Sequence, residues 1–429
     1  MAFTRAVQAL SATALTGALV LAAAPGASAD QTRRDQWALD ALQAESVWKV
    51  SKGQGVTVAV IDTGVNAEHQ DLKGNVLKGK DFVDGDDDAA PASDSGLSNN
   101  HGTEMASIIA AHGHGAGAAD GVIGLAPEAK ILPIRWDGGS FADEIRYAVD
   151  HGAAIISMSV STSQGFTEDR EAVAYALRRN VLIVTASGNE GKSGQLDYPA
   201  RFPGVLTVGG VDKSGNIWSG SNYGPEVLMV APATDIVSAG WPDDKLRVGT
   251  GTSASAAFTS AAAALIKAKF PDLTPGQIAN RLAKTATLPE SANGISLPNE
   301  KYGYGIINPL MALTKNIPAG STYGPLKVSE TEVSTTGPSV GASNNGTSRS
   351  EKEDQKQILL FGVLGVIAFA VVGLMVLLII KWARRDKDNN GGPGGSAAYP
   401  QGGQQPLPPQ QNPYQQQSTP PQGQWPPRQ

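Results

Sequence analysis

The chain has 429 residues, 41% of them hydrophobic, and a net charge of −6. That is enough apolar material for a substantial core, and it lacks the basic footprint that phosphate-backbone binding needs, so nucleic acid is not an expected partner. There is no cysteine, which excludes disulfides, thiolate metal sites and a cysteine nucleophile.

Arg5 precedes an Ala- and Leu-rich run from Ala6 to Ala24, followed by Pro25-Gly26-Ala27-Ser28-Ala29. A positive start, a short apolar stretch and small residues at Ala27 and Ala29 predict a secretory signal over residues 1–29, cleaved after Ala29. A buried N-terminal helix would leave the Ala-x-Ala ending unexplained.

Between about Gln36 and Asn316, apolar runs alternate with stretches of helical period. Val56–Ile61, Ala154–Ser159 and Val181–Val184 read as buried strands, and such near-continuous apolar runs suit a parallel sheet covered on both faces. Gly102–Ala111, Phe141–His151, Glu168–Arg179 and Ser253–Lys269 read as helices. In the first, Met105, Ile108 and Ile109 form one apolar stripe. The alternation predicts a single α/β domain over residues 30–316.

Residues 317–357 turn rich in Ser, Thr and Gly without apolar period and read as an extracellular stalk. Asn345-Gly346-Thr347 matches a glycosylation acceptor, although chance is the simpler source in such a stretch. Ile358–Ile380 holds no charged residue. At about 1.5 Å per residue, its roughly 23 residues give about 35 Å of helix, enough to cross a bilayer. Trp382 and the cluster Lys381, Arg384, Arg385 and Lys387 follow, which favours the cytoplasmic side for what comes next. Residues 381–429, dominated by Gly, Pro and Gln, read as a disordered cytoplasmic tail. The expected protein is single-pass in the cell membrane, with its folded domain outside.

Hydrolysing an amide with a serine needs a base for the hydroxyl proton, an acceptor that holds the base's tautomer, and donors for the oxyanion. Asp62 ends an apolar strand before Thr63-Gly64, where a carboxylate can accept from an imidazole; a turn-capping Asp is the plainer reading of that motif alone. His101 lies in Asn99-Asn100-His101-Gly102-Thr103-Glu104 at a helix start. Ser253 lies in Gly249-Thr250-Gly251-Thr252-Ser253-Ala254-Ser255, at the head of an Ala-rich helix whose first N–H groups lack partners; an ordinary N-cap is the plainer reading. Asn189, in Ser187-Gly188-Asn189-Glu190-Gly191 after a strand, could supply a second oxyanion donor, or be an ordinary turn Asn. His112-Gly113-His114 lacks nearby ligand support for a metal.

Singly these signals are moderate; in the order Asp, His, Ser with an Asn between the last two they are specific. VIDTGV, HGTEMASIIA, SGNEG and GTSASAA resemble the four signature segments of the subtilisin-like serine proteases, over roughly residues 36–316. The resemblance implies a three-layer subtilisin-like fold with a mainly parallel sheet, and catalytic roles for Asp62, His101, Ser253 and Asn189. It implies that Ser159-Val160-Ser161 and Ala186-Ser187-Gly188 bind an extended polypeptide substrate by strand addition. Signal, span and tail resemble the membrane-anchored mycosin subgroup associated with type VII secretion, which makes such a secretion complex a candidate partner; mycosins often carry disulfides, and this chain departs from them there. The segment between Ala29 and Val56 is too short for the inhibitory propeptide common in the family. Where the family usually has Met-Ala and then Pro after the nucleophile, this chain has Ala254, Ser255 and, at the Pro position, Ala257. Ser161 stands where Gly is usual, which predicts a preference for small residues before the scissile bond. Some relatives bind calcium, and Asp81, Asp84, Asp86, Asp87, Asp88 and Asp94 offer oxygen ligands, but their spacing matches no specific loop, so no cofactor is assigned.

Overall fold

The computed structural model describes residues 29–92 and 100–328. Most of the expected signal, most of the stalk with Asn345, the apolar segment 358–380, the tail and Asp94 lie outside the described residues. No helix among the described residues is long and apolar enough to cross a membrane.

Seven parallel strands form the central sheet: β1 (Thr57–Asp62), β2 (Lys80–Asp81), β3 (Lys130–Arg135), β4 (Ile155–Met158), β5 (Leu182–Ala186), β6 (Leu206–Val211) and β7 (Val227–Pro232), in the order β2-β3-β1-β4-β5-β6-β7. Successive side chains in a strand face opposite ways, and both faces here are dry. In β1, Val58 and Val60 enter one core while Ala59 and Ile61 enter the other. Leu182 and Val184 of β5 repeat the division against Ile183. Burial on both sides is why these strands read as unbroken apolar runs.

One face is covered by α1 (His101–Ala110), α4 (Thr252–Lys269) and α5 (Pro275–Thr285), the other by α2 (Ala142–Asp150) and α3 (Thr167–Arg178). Every residue of α4 from Thr252 to Ile266 is buried. A helix enclosed all round shows no polar face, and its alanines let it lie close to the sheet. The expected α/β architecture is present, and each expected helix lies within a residue or so of its predicted ends.

Three short helices, Ala29–Asp35, Trp37–Ala41 and Ala44–Trp48, carry the chain to β1. This arm is tied down rather than loose. Gln36 pairs through both ends of its amide with the backbone of Ile123, and the indoles of Trp37 and Trp48 donate to the carbonyls of Thr234 and Leu125. At the other end, residues 317–328 pack back on the domain although their composition suggests a stalk. Leu326 is buried in the main core, and the Thr274 hydroxyl donates to the carbonyl of Thr322 at 2.6 Å.

Strand order places the site. From β1 the chain moves one way to β3, and from β4 onward it moves the other way. Ligands in open α/β sheets bind beyond the carboxyl ends of strands at such a switch point. Asp62 ends β1, Ser159–Ser161 follows β4, and Ala186–Asn189 closes and follows β5.

Candidate active site

Asp62 is 1% exposed and close to His101, whose Nδ1 lies 2.8 and 3.0 Å from its two carboxylate oxygens. The backbone N–H of Thr63 donates to the same carboxylate at 2.8 Å. With Nδ1–H donating to Asp62, Nε2 is the nitrogen left to accept a proton. The imidazole, 31% exposed, reaches the cavity above the sheet. Gly102 makes this meeting possible: a Cβ there would stand 2.2 Å from the Gly64 carbonyl. The Thr63 hydroxyl accepts from the Gly102 N–H at 3.0 Å and clamps the loop to the helix start.

The charges around His101 oppose one another. Burial pushes the imidazole's pKa down, but Asp62, by charge and hydrogen bond, and the Glu104 carboxylate outweigh it, leaving the group above its ordinary value. Glu104, one turn along α1, is itself raised, first by burial; the charge of His101, a hydrogen bond from Asn100 and the charge of Arg247 hold it back.

Ser253 is the second residue of α4, where a backbone N–H has no partner within the helix. His101, Asn189 and Ser253 line one cavity of about 180 Å³. The side-chain oxygen of Asn189 accepts from the Thr252 N–H at 2.8 Å and the Thr252 hydroxyl at 2.9 Å. With that oxygen held, the amide nitrogen is turned away from Thr252.

A second cavity, about 80 Å³, brings together all six cleft residues expected from the sequence: Ser159, Val160, Ser161, Ala186, Ser187 and Gly188. Asn189 and Ser253 line it as well, so the two cavities meet at the nucleophile candidate. Its wall adds two carboxylates that the motifs did not single out, Glu190 and Asp197, and no lysine or arginine. Asn222 is a further unforeseen residue. It accepts from the N–H groups of Glu190 and Lys192 and donates to the Glu190 carboxylate at 2.5 Å, which fixes the loop carrying Asn189. Nothing in its local sequence marks this role. No residue of the N-terminal arm lines either cavity.

The described carboxylates of the acidic loop have partners within the protein. Asp81 pairs with Arg135 at 2.7 Å and accepts from two backbone N–H groups, Asp84 pairs with the same guanidinium, and Asp87 pairs with Lys78 and Lys80. Cations of the protein and local N–H groups already occupy these oxygens. His112 and His114 are likewise separate. The first lies 2.9 Å from the Lys73 carbonyl and the second 2.6 Å from Asp71.

Comparison with known proteins gives the class: the chain is a serine endopeptidase. It belongs to the subtilase family, whose model matches residues 53–305. It is similar to the thermophilic serine proteinase of Bacillus sp. (strain AK1), 37% identical over 275 residues that cover 62% of this chain and 64% of that protein, just under two thirds of its length. Subtilisin DY of Bacillus licheniformis is 34% identical over 268 residues, 60% of this chain and 90% of that one. Among solved structures, MycP1 from Mycobacterium smegmatis is 31% identical with a TM-score of 0.55, over 68% of this chain and 88% of that chain.

Proposed function

We propose that Asp62, His101 and Ser253 act as a catalytic triad that hydrolyses peptide bonds of exported or surface polypeptides. His101 takes the Ser253 hydroxyl proton at Nε2 while Oγ attacks the scissile carbonyl. Asp62 holds the ring's orientation and balances the imidazolium. The carbonyl oxygen, now negative, is met by the Ser253 N–H and the amide nitrogen of Asn189. Collapse breaks the C–N bond, and the imidazolium returns its proton to the leaving amine. Water, deprotonated by the same imidazole, then releases the acyl group. The observation that carries this reading is the 2.8 Å contact between His101 Nδ1 and buried Asp62, in a ring that shares its cavity with Ser253.

Ser159–Ser161 and Ala186–Gly188 hold the substrate as an added strand. The cavity they line is small and walled by Ser161, Glu190 and Asp197. These features support small, non-acidic residues before the scissile bond. Equal cleavage after Ala, Phe and Glu in a matched peptide series would contradict that preference. For the triad, a fluorophosphonate probe should label the wild type and fail on Ser253→Ala and His101→Ala; labelling of Ser253→Ala at the wild-type level would overturn it.

A signal cleaved after Ala29, a stalk, a span at 358–380 and a cytoplasmic tail, all read from the sequence, support a position for this domain at the outer membrane face. A role in a type VII secretion complex is the second part of the reading. Its support is the likeness to MycP1, described as an essential component of the ESX-1 system. Such a role need not use catalysis, so complex assembly should be measured in Ser253→Ala beside labelling.

A further inference from the structure

The cavity on the His101 side of the nucleophile has a chemistry that the triad does not use. The cleft strands lie on one side of Ser253 and hold the acyl part of a substrate. His101, which returns its proton to the leaving amine, lies on the other side, so the chain passing it is the part that departs. The cavity of about 180 Å³ beside His101 therefore faces the residue that follows the scissile bond. Ala254 lines it, at the position where the family usually has Met. A side chain three heavy atoms longer at this position would project into that space.

Its walls differ along their length. Met105, Ile108 and Ile236 give an apolar lining. Polar groups interrupt it, Ser238 and Glu104 among them. Ser238 is 2% exposed, and its hydroxyl has no hydrogen-bond partner. The Glu104 carboxylate accepts from the Asn100 amide through one oxygen, and its other oxygen has no hydrogen-bond partner among the described residues. Arg247 acts on Glu104 only by charge, forms no ion pair with it, and donates instead to the Trp241 carbonyl. An apolar channel with an uncommitted carboxylate and an uncommitted hydroxyl suits a long methylene stem carrying a cation.

We propose that Glu104 and Ser238, over the space left by Ala254, form a subsite that selects Lys or Arg immediately after the scissile bond. This rests on the protease reading above and names one feature of its substrate. The methylenes would lie along Met105 and Ile108, the cationic head against Glu104, and Ser238 would accept one of its N–H groups.

The test uses the full-length protein in detergent and quenched peptides that differ only in the residue after the scissile bond: Lys, Arg, Gln, Leu and Glu. Wild type should favour Lys and Arg over Leu in kcat/KM by about tenfold or more, the scale of one charge-assisted hydrogen bond, with Glu the poorest. The Lys-to-Leu ratio is taken within each variant, so changes in overall turnover cancel. It should collapse towards one in Glu104→Gln. It should also fall in Ala254→Met, which restores the family's usual residue and refills the cavity. A flat wild-type profile, or a preference unchanged in both variants, overturns the subsite while probe labelling leaves the protease reading standing. A chain that neither labels nor cleaves any peptide overturns both.

Discussion

Asn189 spends its side-chain oxygen on Thr252, through two hydrogen bonds of 2.8 and 2.9 Å. An amide held by its oxygen presents its nitrogen in a fixed direction, and a fixed donor costs no reorganisation when charge develops. Asn189→Ala should therefore lower kcat by about 10²–10³, the scale found for one oxyanion donor in subtilisin, with KM little changed. A change confined to KM would assign Asn189 to substrate binding instead. Thr252→Val tests the support: it removes the hydroxyl, keeps the backbone bond, and should cost less than Asn189→Ala. Glu104 acts on His101 through charge. The imidazole must be neutral to take a proton, and its pKa is held above the ordinary value against the effect of burial by Asp62 and, in part, Glu104. Removing one of these negative charges in Glu104→Gln should lower that pKa, so the acidic limb of the kcat/KM profile should move to lower pH. A limb moving upward would overturn this electrostatic account.

At the scale of elements, α2 carries an internal cost. Glu144 sits in its first turn, 2% exposed. Burial, aided by the nearby charges of Asp137, Asp143 and Asp169, pushes its carboxyl from 4.5 up to about 7, against a backbone hydrogen bond. Below about pH 4.5 both folded and unfolded chains hold the proton, and there is no penalty. Between 4.5 and 7 the unfolded chain gives it up while the native one keeps it, so stability falls as pH rises, levelling off above 7. Glu144→Gln should thus stabilise the domain at pH 8 by up to about 3 kcal/mol, and the gain should vanish near pH 4. Urea midpoints at the two pH values decide it, since an equal gain at both would mean that ionisation is not the cause. β1, β4 and β5 were readable because burial on both faces leaves continuous apolar runs. β6 and β7 escaped because Gly209, Gly210 and Pro232 resemble breakers. In the fold, a Cβ on Gly210 would lie 2.6 Å from the Ala233 side chain and 3.4 Å from Thr252, so close packing beside the nucleophile helix requires the glycine. The candidate site residues carried by signature segments are legible in the sequence. Asn222 and Asp197 are not, because each reaches the cleft only through long-range folding and no local pattern encodes that.

Across the whole molecule, the described domain closes its own core. Both faces of the sheet are covered, the N-terminal arm is bound through Gln36, Trp37 and Trp48, and residues 317–328 return to the surface of α5. Nothing in that packing calls on a lipid for burial. The proposed membrane anchor is 358–380, an uncharged apolar stretch followed by Lys381, Arg384, Arg385 and Lys387. Moving such a stretch out of water is favourable at about 25 cal/mol per Å² of apolar surface, and the basic cluster resists translocation. Membrane attachment and catalytic competence should therefore separate cleanly. A chain ending at Val328 should be soluble, fold cooperatively and label with a fluorophosphonate as the full chain does. The full chain should stay with the membrane pellet after alkaline carbonate. In intact cells, added protease should reach the domain and leave a tag at Gln429 protected. A full chain recovered in the soluble fraction would overturn the anchor. A truncated chain that folds but no longer labels would show that the site depends on the membrane-proximal residues, and that the triad is not complete within residues 30–328.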